Sequence, residues 1–176
     1  GAVRTWTQTE IEAKAADYGL KDIFANYFRM GCCLPSSGLN NSTITGIILQ
    51  EFNSVTCENE LKPDYTLVQS GSTDDNIKVS LSSAAGIIDF CIKNNIAMRG
   101  HTLVWHSQTP DWFFRVGYSA DGAWVDKDTM LKRMENYIKA VMEALAKDYP
   151  NVNFYCWDVV NEAFLDDGSY RPAGST

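Results

Sequence analysis

Two neighbouring side chains late in the sequence, Asn161 and Glu162, have the types needed for proton transfer to a hydroxylated substrate. They follow the apolar run 153–160, and alternation along a strand would put Asp158 on the same side as Glu162. A carboxyl group at the end of a strand can exchange protons with a substrate if apolar neighbours raise its pKa. A solvated loop carboxylate is the alternative interpretation of Glu162.

A second group of candidate residues lies in segment 101–112, which contains two histidines, two tryptophans and a glutamine. This mixture is typical of sugar sites, because aromatic rings pack against the C–H face of a pyranose and planar polar groups bind its hydroxyls. Filling of the hydrophobic core is the alternative role for the tryptophans. The side chains concerned are His101, Trp105, His106, Gln108 and Trp112.

A third group, Glu58, Asn59 and Lys62, follows the apolar run 52–56 and could bind hydroxyls or simply end an exposed loop. The sequence has no glycine-rich phosphate loop and no Ser–His–Asp order. Its two histidines and five cysteines do not have metal-ligand spacing. The three groups together therefore predict a carbohydrate ligand, with neither a metal nor another cofactor.

The elements that must position these groups alternate along the chain. Periodicity predicts helices over 5–28, 45–51, 79–93 and 128–149, strands over 28–34, 52–56, 96–105 and 153–160, and a polar loop at 69–76. This alternation predicts a parallel sheet covered by helices. Every candidate group follows the carboxyl end of a strand. That placement favours a closed (β/α)8 TIM barrel over an open doubly wound sheet, which usually carries a glycine-rich phosphate loop in its first turn.

The composition limits the class of protein and of partner. With 176 residues, 45% hydrophobic and 21% charged, the chain has a globular composition. Its net charge of -7 argues against a nucleic-acid partner, and no apolar run is long enough to predict a membrane span. Cys33, Cys57 and Cys156 lie in apolar runs and are predicted to be buried.

Three segments carry a family resemblance: VTCENELK (55–62), HTLVWHSQTPDWFF (101–114) and WDVVNEAF (157–164). They resemble the signatures of glycoside hydrolase family 10, the endo-β-1,4-xylanases, and the resemblance runs from about residue 20 to the C-terminus in the family's order and spacing. It implies a secreted enzyme with a TIM-barrel fold. The implied activity is retaining hydrolysis of xylan or xylo-oligosaccharides, without a cofactor or metal.

The resemblance also implies roles at the cleavage point. Glu162 would be the general acid that protonates the glycosidic oxygen and the base that then activates water. Asn161 would hold the 2-hydroxyl of the sugar at that point, and His101 and Trp105 would line the same subsite.

Further positions match the family outside the cleavage point. His106 would orient its neighbours or contact the sugar, and Asp158 would be a buried carboxylate behind the site. Pro63 departs from the family, which usually has tryptophan after the lysine. The resemblance implies that the next sugar on the non-reducing side is bound by Glu58, Asn59, Lys62 and Gln108.

A second departure concerns the nucleophile. Retaining sites hold two carboxyl groups about 5–5.5 Å apart, but no position after Glu162 matches the family's second glutamate, on the seventh strand. Because a TIM barrel needs about 250 residues, we expect residues 1–176 to form its N-terminal half, with about four strands, completed by a second segment or chain. The alternatives are a xylan-binding fragment without activity and a barrel hydrolase acting on cellulose or mannan.

Overall fold

The structure is a computed structural model, and it describes residues 7–15 and 17–172. Short 3-10 turns at Ser36–Asn40, Asp111–Phe114 and Val116–Tyr118 link some of its elements. The helices and strands are, in chain order, α1 (Gln8–Ala15), α2 (Leu20–Ile23), β1 (Gly31–Leu34), α3 (Ser42–Glu51), β2 (Ser54–Cys57), α4 (Pro63–Thr66), β3 (Leu67–Thr73), β4 (Asn76–Val79), α5 (Ala85–Lys93), β5 (Ala97–Val104), α6 (Lys127–Asp148) and β6 (Phe154–Val160).

Four strands form a parallel sheet in the order β1-β2-β5-β6, which is also their order along the chain. An open doubly wound sheet reverses its strand order at a switch point, whereas strands that advance in one direction wind a barrel. The helices α3, α5 and α6 lie in the connections between these strands. The prediction of four strands of a (β/α)8 barrel with their helices is confirmed.

The sheet has one covered face and one open face. Cys32, Val55, Met98 and Phe154 are aligned across the four strands and pack in the hydrophobic core with the buried side of α5. The next row is Cys33, Thr56, Arg99 and Cys156, and successive side chains of a strand point to opposite faces. We call the side carrying this second row the open face, because Cys33, Arg99 and Cys156 are exposed on it.

The exposure of Cys33 and Cys156 shows that the prediction of three buried cysteines was wrong for these two. Both lie in apolar runs, but a run does not reveal which of its side chains face the helices. The prediction is confirmed for Cys57, which is buried in the core.

The first predicted helix, residues 5–28, is two short helices instead, α1 and α2. The chain bends at Gly19, where a Cβ atom would lie 1.8 Å from the carbonyl oxygen of Gln50, so the backbone packs directly against the end of α3. The side chain of Asp22 accepts a 2.9 Å hydrogen bond from the Gly19 N–H and closes the first turn of α2. Residues 5, 6 and 16 of the predicted helix lie outside the described residues.

The predicted polar loop at 69–76 is an antiparallel hairpin formed by β3 and β4. Its turn is tied to α6 through Asp74, which accepts from the Arg133 guanidinium at 2.7 Å and whose carbonyl accepts from Asn136 at 2.7 Å. Arg133 is only 2% exposed and lies in the buried row of α6 with Tyr137, Val141 and Leu145. The loop prediction was wrong, because most of segment 69–76 belongs to the paired strands. The polar composition of the segment does not reveal its tertiary contact with α6.

Candidate active site

The candidate residues follow three adjacent strands at one edge of the sheet. Residues 58–62 come after β2, residues 105–108 after β5 and residues 161–162 after β6. Carboxyl ends of parallel barrel strands share one rim, where barrel enzymes have their active sites. The fold therefore places the three predicted groups at the same rim.

Glu162 lies beside two aromatic side chains at this rim, Trp105 and His106. Its carboxylate accepts a 2.9 Å hydrogen bond from the indole N–H of Trp105, and the Nε2 atom of His106 lies 3.8 Å from the same oxygen. The side chain is 52% exposed, so a substrate oxygen can reach it. A positioned, accessible carboxyl group of this kind can act in proton transfer.

Two candidate residues have a left-handed backbone conformation that L-residues rarely adopt. The φ angle is 51° at Glu162 and 45° at Gln108. Such conformations cost about 1–2 kcal/mol each and persist where surrounding structure enforces them, often at functional sites. The Glu162 carbonyl accepts from Arg171 at 3.1 Å, and the Gln108 carbonyl accepts from the N–H of Asp64 at 2.9 Å.

Lys62 connects the residues after β2 to those after β5. Its ammonium group donates a 2.8 Å hydrogen bond to Oδ1 of Asn59 and lies 5.1 Å from the centre of the Trp105 ring. Lys62 is only 8% exposed, so its stem is packed while its charge is directed along the rim. Pro63, at the family's usual tryptophan position, is buried and begins α4.

His101 is held by Asp158. The two residues are register partners on β5 and β6, and Nδ1 of His101 lies 2.9 Å from one carboxylate oxygen. The other oxygen accepts from the Arg99 guanidinium at 2.5 Å. Both side chains are partly exposed, at 21% and 22%, so Asp158 is at the open face rather than deeply buried.

Two buried polar atoms at the rim lack a hydrogen-bond partner in the described part of the chain. They are Nδ1 of His106 and Oε1 of Gln108. An unpaired buried polar atom costs free energy, so each of these atoms is available to a further hydrogen-bond partner. The ring of His106 is also fixed edge-on against Trp105, with centroids 5.9 Å apart.

The remaining predicted residues are close to the site but less tightly arranged. The N–H of Asn161 donates to the Val104 carbonyl at 2.9 Å, which anchors the backbone beside Glu162. Glu58 is exposed and lines a cavity of about 430 Å³ on the open face, together with Arg99 and His101. Trp112 packs in the core and contacts the ring of Tyr118.

Sequence reasoning missed Arg99 and the role of Glu60. Arg99 is a lone charge within an apolar strand, two residues before His101 and therefore on the same face, and this signal could have identified it. Glu60 was seen only as part of a charged cluster, but it is 6% exposed and accepts hydrogen bonds from Ser36 and Asn59.

Across residues 7–15 and 17–172, no three His, Cys, Asp or Glu side chains are grouped so that they could hold a metal ion. Within the same residues, no helix has the length and apolar character needed to cross a membrane.

Comparison with known proteins identifies the family of this chain. The sequence profile of glycosyl hydrolase family 10 matches residues 19–175, which is most of the chain. The chain belongs to glycosyl hydrolase family 10. Among family relatives, endo-1,4-beta-xylanase Y of Acetivibrio thermocellus is 57% identical over 155 residues, covering 88% of this chain and 14% of the relative.

Solved structures of xylanases share the fold. The crystal structure of endo-1,4-beta-D-xylanase 10B from Clostridium thermocellum, complexed with xylohexaose, matches with a TM-score of 0.86 and 53% identity over 90% of this chain and 32% of that one. An intracellular xylanase from Thermoanaerobacterium saccharolyticum matches with a TM-score of 0.77 and 31% identity, covering 88% of this chain and 46% of that one. The chain thus spans less than half the length of these relatives.

Proposed function

We propose that this chain carries the acid/base side of a retaining endo-1,4-β-xylanase site, with Glu162 as proton donor. The observation that carries the proposal is the position of Glu162. It is an accessible carboxylate at the barrel rim, hydrogen-bonded to Trp105 and 3.8 Å from His106. Membership of a family whose matching relatives are xylanases supports xylan or xylo-oligosaccharides as the substrate.

The residues around Glu162 would either bind one of two neighbouring sugars or hold another side chain in place. Asn161 and His101 are polar groups near the cleavage point and would hold sugar hydroxyls there. Asn59 and Lys62, joined by a 2.8 Å hydrogen bond, would bind the next sugar on the non-reducing side, together with Glu58 and Gln108. Asp158 would hold His101, and His106 would hold Trp105 edge-on.

Retaining hydrolysis requires a second carboxylate as nucleophile. We propose that a segment outside residues 1–176 supplies it, together with the strands that would cover the open face. The partial barrel supports this proposal, because a (β/α)8 barrel has twice the four parallel strands described here. A secreted location stays a prediction, and one matching structure is of an intracellular xylanase.

The test is Glu162→Ala in the protein that contains this chain. Turnover of unactivated xylan should fall about 10²–10⁴-fold, because the leaving oxygen loses its proton donor. An aryl xyloside whose leaving group needs no protonation should lose far less. Steady-state kinetics on both substrates make the comparison, with Asp166→Asn, a nearby exposed carboxylate, as control.

An equal loss on both substrates would refute the acid role of Glu162. Binding of xylo-oligosaccharides without any hydrolysis, even by the completed barrel, would favour the alternative of a silent xylan-binding fragment. Preference for cellulose or mannan over xylan would refute the proposed substrate.

A further inference from the structure

Glu60 is a buried carboxylate that joins the ends of two barrel strands. One oxygen accepts from the backbone N–H of Ser36, after β1, at 2.6 Å and also from the Ser36 hydroxyl. The other oxygen accepts from the N–H of Asn59, after β2, at 3.0 Å. Burial raises the pKa of Glu60, but these hydrogen bonds outweigh it and lower the pKa below its ordinary value. The group is therefore held as a charged acceptor.

The hydrogen bonds of Glu60 fix the backbone from which the Asn59–Lys62 pair is built. The carbonyl of Asn59 accepts from the N–H of Lys62 at 2.9 Å, while its side chain accepts from the Lys62 ammonium at 2.8 Å. The ammonium in turn lies against Trp105, the residue that donates to Glu162. A continuous set of contacts thus runs from Ser36 to the proposed acid.

Both carboxylate oxygens of Glu60 already accept from N–H groups of the chain, and only 6% of the residue is exposed, so Glu60 binds the protein and not a sugar. We propose that Glu60 is a positioning residue for the sugar subsite of Asn59 and Lys62: it sets the Asn59 backbone so that the amide and the ammonium face the sugar in one geometry. Preorganisation of this kind increases affinity because less ordering is needed on binding. The inference rests on the proposed function, because it takes Asn59 and Lys62 to be sugar ligands.

The substitution that tests this is Glu60→Gln, which keeps the shape of the side chain. Both carboxylate oxygens accept from N–H groups, so the new amide NH2 must face a donor in either orientation. Titration calorimetry with xylohexaose, on the protein that contains this chain and with Glu162→Ala present throughout to prevent hydrolysis, should show a Kd about tenfold higher with unchanged stoichiometry. A merely structural role would lower the melting temperature and the stoichiometry but leave Kd unchanged. Glu143→Gln, an exposed glutamate on α6, is the matched control and should bind as the Glu162→Ala parent does.

Lys62→Ala separates failure of this inference from failure of the proposed function. If Lys62→Ala weakens binding and Glu60→Gln does not, the positioning role is refuted and the subsite stands. If Lys62→Ala binds xylohexaose as tightly as the Glu162→Ala parent does, the proposed subsite itself is refuted. Should Glu60→Gln fail to fold, Ser36→Ala removes only the hydroxyl donor and should raise Kd about threefold; an unchanged Kd would refute the inference.

Discussion

At the scale of single residues, the rim combines exposed groups that can meet a substrate with buried groups that hold them. Glu162 is accessible, and its neighbour Trp105 fixes it by one hydrogen bond. Glu60 is buried and joins the segments after β1 and β2 through its hydrogen bonds to Ser36 and Asn59. The geometry of the site therefore also depends on a side chain that binds only protein groups.

The pH dependence of stability should report the hydrogen bonds of Glu60. Its pKa in the folded chain lies below the ordinary value of 4.5, so ionised Glu60 stabilises the fold above that pH. This contribution is lost as the pH falls through the folded-state pKa. Urea denaturation measures the free energy of unfolding at each pH. Between about pH 5 and pH 3, this free energy should fall more steeply in the unmodified chain than in Glu60→Gln.

The same measurement on Glu143→Gln controls for removal of a carboxylate as such, and that variant should keep the steep fall. Equal slopes for the unmodified chain and Glu60→Gln would contradict the assignment of these hydrogen bonds.

The sequence predicted the position of the candidate residues better than their partners. The rim followed from polar residues after apolar strands, because parallel strands all end at one edge. That Asp158 pairs with His101 and Arg99 depends on the register of β5 against β6, which includes an irregularity between Met98 and Arg99. Register and buried hydrogen bonds are long-range features that local sequence patterns do not contain.

At the scale of elements, the hairpin β3–β4 is joined by hydrogen bonds both to α6 and to the segment that follows β5. Arg133 donates to Asp74 and also to the carbonyls of Phe113 and Arg115, at 2.7 and 2.9 Å. Tyr118 stacks on the same guanidinium and donates to Asp74. One buried cation therefore joins three pieces of chain that are remote in sequence.

Asp74→Asn should be destabilising because it leaves the buried Arg133 without an ionised partner. Asp74 itself is 42% exposed, so solvent screening limits the loss to about 1–2 kcal/mol in the free energy of unfolding. Asp75→Asn is the matched control: Asp75 is 82% exposed and pairs with the exposed Lys132, so its loss should be the smaller of the two. Urea denaturation at neutral pH compares the two variants. Equal losses of unfolding free energy would contradict a stabilising role of the Asp74–Arg133 pair.

Element prediction from sequence succeeded where a helix or strand has one apolar side. The crossover helix α6 and the strand β5 show that periodicity, and both were found within a few residues of their observed bounds. The close packing of β5 on β6 was not visible: a Cβ atom at Gly100 would lie 2.1 Å from the Trp157 ring. This glycine looks like an interruption in the sequence, but in the fold it makes room for the indole.

At the scale of the whole molecule, the sheet has two kinds of strand. β2 and β5 are paired on both sides, whereas β1 and β6 are each paired on one side in the described structure. Edge strands expose unpaired backbone groups, and the open face adds exposed side chains such as Cys33 and Cys156. These features fit half of a barrel whose other strands would pair with β1 and β6.

Amide hydrogen exchange should distinguish these strands. In the 176-residue chain, amides of β2 and β5 should exchange most slowly, and those of β1 and β6 should exchange faster because they open by local fraying. Mass spectrometry of peptic fragments measures this. Equal protection of all four strands would contradict the open edges, and sedimentation velocity would then show whether copies of the chain cover one another.

The row of side chains across the open face has a practical consequence, because it begins and ends with a cysteine. Cys33 on β1 and Cys156 on β6 are exposed, whereas Cys32 is partly buried and Cys57 and Cys91 are buried. A maleimide dye should therefore react first at the two opposite borders of the sheet. Three strand spacings separate these borders, about 14 Å, so fluorescent dyes on the two native thiols would report when further strands pair with β1 and β6 and close the barrel.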